Sequence, residues 1–433
     1  MKPMTVQKIP PPTHKIKTVL FIPEYWYLSI ELFREISLSL GDRVQKVFLD
    51  TGDPLFKGVQ RTKYSADWLK QFFDITYFLK FPDISKWLIN SIFDIYQYKK
   101  KLKEILQLNK PDLIITTGDR NHFYSLVRHC CPEVPIIIFQ GALVHLKYYT
   151  NIGESKAAGF KKRFDTRRVY RFFVDWFKIF FYYALFNIPP LSMDHSVGWG
   201  LLDNNSYLFL WGSTTGALFK NKKENVFCIG NPLTDLLYNQ YFSRTKDNEL
   251  LYKFGWDISR KVVIVSAPCL KGTADKHDTI QYVGFVIENC PNLNFIVKVH
   301  PRDDIEHFEV FSKKENVVLL KDEYTFQELL HISDLNISQY SATSMDAVIY
   351  GVPVILLPQK VLNQRDLEYW FGSEIFYKPS TVESCIECIK EALSGSFIEK
   401  NKRSRDEFIR NMFSEYAGNS KAATLDKINQ LLQ

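Results

Sequence analysis

Short runs of consecutive apolar residues alternate with amphipathic stretches along most of the chain. Residues 18–23 (Thr-Val-Leu-Phe-Ile-Pro) predict a first strand, residues 28–40 a helix ended by Gly41, and residues 44–49 a second strand. Residues 84–108 read as a long helix carrying Lys99, Lys100 and Lys101, residues 112–118 as a third strand and 134–139 as a fourth. Strands that are apolar throughout, spaced by helices, are buried on both faces, which is the pattern of a parallel sheet covered by helices.

The alternation breaks between residues 156 and 185 and then resumes. Strand runs follow at 207–211, 225–229, 261–266, 294–299, 316–320, 334–338 and 353–357, with helices at 276–289, 326–332 and 342–350. The expectation is an α/β protein of two Rossmann-like doubly wound domains facing a cleft, residues 18–195 and 196–402. Residues 1–17, with Pro10, Pro11 and Pro12, form a disordered leader, and 403–433 two helices able to pack back on the first domain. In such sheets ligands bind outside the carboxyl ends of the strands.

With 433 residues, 46% hydrophobic and 24% charged, the chain has material for real cores, which excludes a disordered or collagen-like protein. Its 55 Lys and Arg outnumber 48 Asp and Glu, a net charge of +7, and 15% of residues are aromatic. That combination suits a membrane surface or an anionic ligand. The basic N-terminus lacks an apolar core segment, so no secretory signal is expected. The seven cysteines form no secreted-type framework, which points to a reducing compartment. Cys385 and Cys388 have no second pair to complete a zinc site and read as thiols on one helical face. No apolar run is long enough for a spanning helix. The cysteine usage and the basic, aromatic composition together give a cytoplasmic chain at a membrane surface as the expected location.

The second half carries the densest chemistry. Residues 294–302 (Asn-Phe-Ile-Val-Lys-Val-His-Pro-Arg) form a buried strand ending in a cationic turn, with Lys298, His300 and Arg302 alternating with apolar residues and Pro301 stopping the strand. A phosphate or carboxylate suits such a corner; a turn histidine bonded to a carbonyl is the plainer alternative. Some 40 residues on, Ser338 to Ala347 reads Ser-Gln-Tyr-Ser-Ala-Thr-Ser-Met-Asp-Ala, a strand giving way to a helix. Ser341, Thr343 and Ser344 lie at its start, where exposed N–H groups and the helix dipole favour a phosphate, and Asp346 follows in the first turn, where a carboxylate can take a ribose diol. Simple N-capping explains one hydroxyl residue, not three and an aspartate.

The order strand–His300-Pro301, then Ser341-x-x-Ser344-x-Asp346-Ala347, then Gly351-Val352-Pro353-Val354-Ile355 resembles the donor half of GT-B glycosyltransferases acting on capsule or lipopolysaccharide. It is similar too to the related CDP-glycerol glycerophosphotransferases and non-hydrolysing UDP-N-acetylglucosamine 2-epimerases. Gly230-Asn231-Pro232-Leu233-Thr234-Asp235 resembles the motif that opens this half in those families, and residues 248–257 their next element. The resemblance implies that His300 and Arg302 meet donor phosphates, that Ser341, Thr343 and Ser344 cradle them, and that Asp346 holds the ribose. A histidine-proline pair with paired hydroxyls recurs in transferases of CMP-activated acidic sugars. The implied co-substrate is therefore a CMP- or UDP-linked sugar, with no resident cofactor and no metal, since no Asp-x-Asp motif with metal spacing ends a strand. A lipid-linked or polysaccharide acceptor of bacterial surface glycans completes the reaction.

In the first half, Gly118-Asp119-Arg120-Asn121-His122 follows a strand and opens a helix. Asp119 or His122, or Glu24 just past the first strand, is a candidate base for the acceptor hydroxyl. An N-cap role for Asp119 is equally open. The arrangement resembles the epimerase pattern, but Gln140-Gly141-Ala142 stands where that pattern needs an acidic residue, which leaves sugar transfer by a metal-independent glycosyltransferase as the stronger reading. An epimerase, a CDP-glycerol-type glycerophosphotransferase and a noncatalytic nucleotide-sugar binding protein are the alternatives. Residues 156–186 predict a basic aromatic helix. Arg163, Arg167, Arg171 and Lys178 share one stripe and Trp176 lies among phenylalanines, which suits an anionic membrane surface; a buried inter-domain helix is the alternative. No nucleic-acid-binding motif accompanies the charge.

Overall fold

The computed structural model describes residues 16–23, 26–50, 65–79, 88–117, 122–141, 205–219, 223–241, 247–268, 276–301, 303–339, 341–358, 364–394 and 396–433. Most of the expected leader, residues 1–15, lies outside the described residues. Two parallel sheets organise the rest. The first takes β1 (Lys17–Ile22), β2 (Val44–Asp50), β3 (Ile75–Phe78), β4 (Leu113–Thr116), β5 (Ile136–Phe139), β6 (Ser206–Leu210) and β7 (Val226–Cys228) in the order β3-β2-β1-β4-β5-β6-β7. The second takes β8 (Val262–Ser266), β9 (Asn294–Lys298), β10 (Val317–Leu320), β11 (Leu335–Ser338), β12 (Val354–Leu356) and β13 (Phe376–Tyr377) in the order β10-β9-β8-β11-β12-β13. In both sheets the winding reverses between the first and fourth strands, as in a doubly wound domain, so the expected fold class of two Rossmann-like domains holds.

The helices in chain order are α1 (Trp26–Leu40), α2 (Ala66–Leu69), α3 (Leu88–Asn109), α4 (His122–Cys130), α5 (Ser213–Gly216), α6 (Asp235–Gln240), α7 (Asn248–Lys253), α8 (Lys276–Asn289), α9 (Phe326–Leu330), α10 (Thr343–Tyr350), α11 (Gln364–Phe371), α12 (Val382–Leu393), α13 (Ser396–Phe413) and α14 (Ser420–Leu432). They cover both faces of each sheet. On β1, Leu20 and Ile22 enter one core and Val19 and Phe21 another; on β8, Ile264 and its neighbours Val263 and Val265 divide in the same way. Burial on both faces is why these strands are apolar at every position.

The two sheets share a device at the amino edge of the switch point. In the first, Asp112 accepts from Thr18 N (2.8 Å) while Asp112 N donates to Thr18 O (2.8 Å), with Lys17 Nζ 3.8 Å from the carboxylate. In the second, Asp334 accepts from Val262 N (2.9 Å), donates its own N–H to Val262 O (2.8 Å) and meets Lys261 Nζ at 3.1 Å. Each aspartate satisfies the leading N–H of the central strand and pins its register.

Membership of the first sheet corrects the sequence reading in one respect. Residues 196–402 were expected to form the second domain, yet β6 and β7 belong to the first sheet, β6 beside β5 (Ile136↔Ser206) and β7 beside β6 (Leu208↔Val226). A buried strand looks the same in either sheet; the neighbour it pairs with is decided by crossover geometry, not by local pattern. The chain also uses short strands, β3 and β13, that the apolar pattern did not predict.

After β7 the chain turns at Gly230, whose φ of +85° favours glycine and where an added Cβ would fall 2.0 Å from Ser420 Oγ. Asp235 then accepts from Ser420 N (3.0 Å) and Lys421 N (2.8 Å), capping the start of α14. Ile428 and Leu432 of α14 enter the core that contains Ile30, Phe33 and Ile36 of α1, and Lys421 Nζ lies 3.2 Å from Glu35. The last helix therefore lies on the first domain, and the residues of the Gly-Asn-Pro motif build the junction that receives it.

Candidate functional site

Strand register sets the carboxyl edge of the second sheet. Leu320, Lys298, Ser266, Ser338 and Leu356 are level across β10, β9, β8, β11 and β12. His300 leaves this edge two residues beyond Lys298, and Ser341 three residues beyond Ser338. One strand, β8, separates the two exits, a spacing of about 10 Å, the scale of a ribose and its phosphates. Both motif segments thus stand at the same edge, on either side of the switch point where doubly wound sheets bind ligands.

At the start of α10, Ser341 Oγ and Thr343 Oγ1 are 2.8 Å apart, and Thr343 N donates to Ser341 Oγ (3.3 Å). Ala342 occupies the N-cap position and supplies no side-chain cap, so the plainer alternative of ordinary N-capping by a serine is not what the helix start shows. Ser341 and Thr343 keep partial solvent contact. Ser344 is fully buried and its hydroxyl meets no partner among the described residues. Beside this turn, Gln339 is buried and donates to Thr279 Oγ1 of α8 (3.3 Å), while its carbonyl oxygen has no partner among the described residues.

Asp346, one turn into α10, accepts from Gln327 Nε2 of α9 (2.7 Å). Burial pushes its carboxyl up to about 7, against the lowering effect of that hydrogen bond. One turn on, Tyr350 Oη and His331 Nδ1 are 2.7 Å apart with their rings edge to face, so α9 and α10 are joined at two successive turns. The far end of α10 is held from the C-terminal segment. Arg405 of α13, 4% exposed, donates to Val348 O (2.9 Å) and Ile349 O and lies 3.6 Å over the Tyr241 ring. A cation on the last carbonyls complements the helix dipole whose positive end faces the candidate phosphate position. Gly351, at φ +78°, closes the helix against the same Tyr241 ring.

At the His-Pro corner, His300 and Pro301 are partly exposed, and the His300 carbonyl accepts from Asp303 N (2.9 Å), which tightens the turn. The Lys298 ammonium donates to the Lys321 carbonyl at the start of the loop leading into α9. The bond ties β9 to that loop and uses one of the ammonium's three N–H donors, so it is compatible with the donor contact expected of Lys298. Arg302 lies outside the described residues.

The candidate bases are placed only by their flanks. Glu24 and Asp119 lie outside the described residues, as do the side chain of His122, the first residue of α4, and the basic segment with Arg163, Arg167, Arg171, Trp176 and Lys178. Next to them, Ser29 Oγ of α1 and Thr117 Oγ1 at the end of β4 share a hydrogen bond at the switch point of the first sheet, both buried. Gln140 has a structural role: its side-chain oxygen accepts from Trp211 N (2.9 Å) and its carbonyl from Trp211 Nε1 (2.8 Å), joining β5 to β6.

Sequence reasoning missed Gln327 and Arg405. Helix 326–332 was legible, but nothing in it marks Gln327 except polar positions four residues apart at 327 and 331, the spacing of one helix face. Cys385 and Cys388 lie on α12, near Cys290; burial pushes the Cys385 thiol up to about 12, which keeps it protonated and unreactive. Among the described residues no cluster of three His, Cys, Asp or Glu side chains could hold a metal ion. Among them, too, no helix is long and apolar enough to cross a membrane.

Comparison with known proteins gives this site a context. Residues 212–422 match the family described as CDP-Glycerol:Poly(glycerophosphate) glycerophosphotransferase. The teichoic acid ribitol-phosphate polymerase TarL of Staphylococcus aureus (strain NCTC 8325 / PS 47) is 25% identical over 223 residues, which cover 45% of this chain and 38% of TarL. The match thus spans well under half the length of that relative. Among solved structures, a UDP-glucosyltransferase from Polygonum tinctorium superposes with a TM-score of 0.61 at 13% identity, covering 97% of this chain and 99% of that one. A UDP-GlcNAc 2-epimerase from Neisseria meningitidis bound to UDP-GlcNAc superposes with a TM-score of 0.57 at 15% identity, covering 96% and 100%. At these identities the likeness is one of fold, and the fold is GT-B: two Rossmann-like domains.

Proposed function

We propose that this chain is a nucleotide-dependent transferase of surface-polymer synthesis that moves a phosphorylated polyol from a CDP-linked donor to an acceptor hydroxyl. The reading rests on one observation. The family match runs through both motif segments, and strand register brings those segments to one sheet edge. In the reaction the acceptor oxygen bonds to the donor's polyol-side phosphorus, the phosphoanhydride bond breaks, and CMP leaves. The hydroxyl proton passes to a base of the first domain, Asp119, Glu24 or His122. His300 and Arg302 on one side, and the amino end of α10 with Ser341 and Thr343 on the other, neutralise the charge that builds on the phosphates. Ser344, buried beneath the turn, belongs to the same cradle, and Asp346 takes the ribose hydroxyls. A group-transfer site of this kind needs preorganised donors at the developing charge.

Transfer of a sugar from a CMP- or UDP-linked donor is the second reading, favoured by the order of the His-Pro, Ser-x-x-Ser-x-Asp and Gly-x-Pro motifs. The basic aromatic segment 156–186 supports an acceptor presented at an anionic membrane surface in either case.

The test is to incubate the full chain with CDP-glycerol, CDP-ribitol, a CMP-sugar and a UDP-sugar, each with a polyol-phosphate oligomer as acceptor, and to measure the nucleotide released. CMP from a CDP-polyol, falling about 100-fold or more in His300→Ala, is the expected result. Turnover confined to a sugar donor replaces it by the second reading, and binding without turnover of any donor contradicts both.

A further inference from the structure

Asp346 cannot orient itself. It projects from the first turn of an eight-residue helix, and the side chain that bonds it comes from a different element, Gln327 of α9, at 2.7 Å. That element is itself fixed on three sides. A capping box starts it, with Glu328 N donating to Thr325 Oγ1 (3.2 Å) and Thr325 N to Glu328 Oε2 (2.6 Å). Lys298 holds the loop before it through the Lys321 carbonyl. His331 at its end is bonded to Tyr350. Gln327 lies in α9 and His331 just past its end, four residues on, and 346 and 350 lie one turn apart on α10, so the two bridges form a ladder between the helices.

An amide donating to one carboxylate oxygen does two things. Although Gln327 itself is exposed, its bond favours one rotamer of the carboxylate, and it leaves the other oxygen able to accept. A carboxylate so held can accept a vicinal diol without first losing rotamer entropy.

We infer that Gln327 is a positioning residue that aims the Asp346 carboxylate at the ribose, and that the α9–α10 ladder thereby sets the protein's preference for ribonucleotides over nucleotides lacking the sugar hydroxyls. The inference rests on the proposed nucleotide site and adds to it the residue that makes the ribose contact selective. Gln327 needs no contact with the nucleotide.

The readout is a ratio that general loss of stability leaves unchanged: the affinity for CMP over 2′,3′-dideoxy-CMP, and for UMP over 2′,3′-dideoxy-UMP, measured by calorimetry on the full chain. Four variants separate the possibilities. Asp346→Asn lowers the ratio by about tenfold or more, the scale of a hydrogen bond to a charged group. Gln327→Met, similar in length but without a donor, lowers it toward the same value. Gln327→Lys, which still donates, keeps it. His331→Phe, which breaks the other rung, lowers the melting temperature and leaves the ratio at the wild-type value. If Asp346→Asn abolishes the preference and Gln327→Met retains it, the positioning role is wrong and the nucleotide site stands. If Asp346→Asn retains the wild-type ratio, or neither nucleotide binds, the nucleotide reading fails first.

Discussion

Replacing Asp346 by asparagine should make the ligand-free protein more stable at neutral and alkaline pH while weakening nucleotide binding. Burial raises the carboxyl from 3.8 to about 7, so the folded chain holds a proton that the unfolded chain gives up. Below the unfolded value the acid is neutral in both states and costs nothing. As pH rises from about 4 toward 7, only the unfolded state ionises and stability falls; above about 7 both states are ionised and the loss is complete. A rise from 3.8 to about 7 corresponds to about 4 kcal/mol at most; partial solvent contact and relaxation reduce this to about 2 kcal/mol. The asparagine side chain keeps an acceptor for Gln327 and carries no charge. Urea titrations of both proteins at intervals between pH 5 and 9 give the difference directly. The asparagine variant should gain on wild type as pH climbs to 7 and hold a constant advantage beyond. A variant less stable than wild type at pH 8, or a difference independent of pH, refutes the reasoning.

Other substitutions test the frame around the site. Arg405→Met removes the donors to Val348 and Ile349 and the cation over Tyr241, and should cost about 3 kcal/mol; a urea midpoint within error of wild type would show that α10 does not depend on this cap. Gly230→Ala forces a Cβ against Ser420 at a φ of +85° and should lower stability by about 2 kcal/mol or more, visible in the melting temperature. Asp334→Ala leaves Val262 N without its acceptor and should cost about 1–2 kcal/mol without altering nucleotide affinity, since it acts at the opposite edge of the sheet.

What could be read from the chain and what could not divide along a physical line. The helix at Lys276–Asn289 and the strands at Val262–Ser266 and Asn294–Lys298 matched their patterns within a residue or so, because buried parallel strands and amphipathic helices carry their environment in their periodicity. The assignment of β6 and β7 to the first sheet was not legible, because the pairing is made between residues far apart in sequence. The same holds at the site. The hydroxyl-rich turn and the His-Pro corner announce themselves locally, whereas Gln327 and Arg405 matter only through what the fold brings to them, 19 residues and 57 residues along the chain. Lys298 combines the two: its cationic chemistry is plain in sequence, whereas its bond to the Lys321 carbonyl is made by the fold.

The most direct test of the shared phosphate position is a crystal structure of the chain with CDP. The phosphates should lie between the His300–Pro301 turn and the amino end of α10, within hydrogen-bond distance of Ser341 or Thr343, with the ribose at Asp346. Phosphates bound at any other edge of either sheet, with that gap left empty, would contradict it.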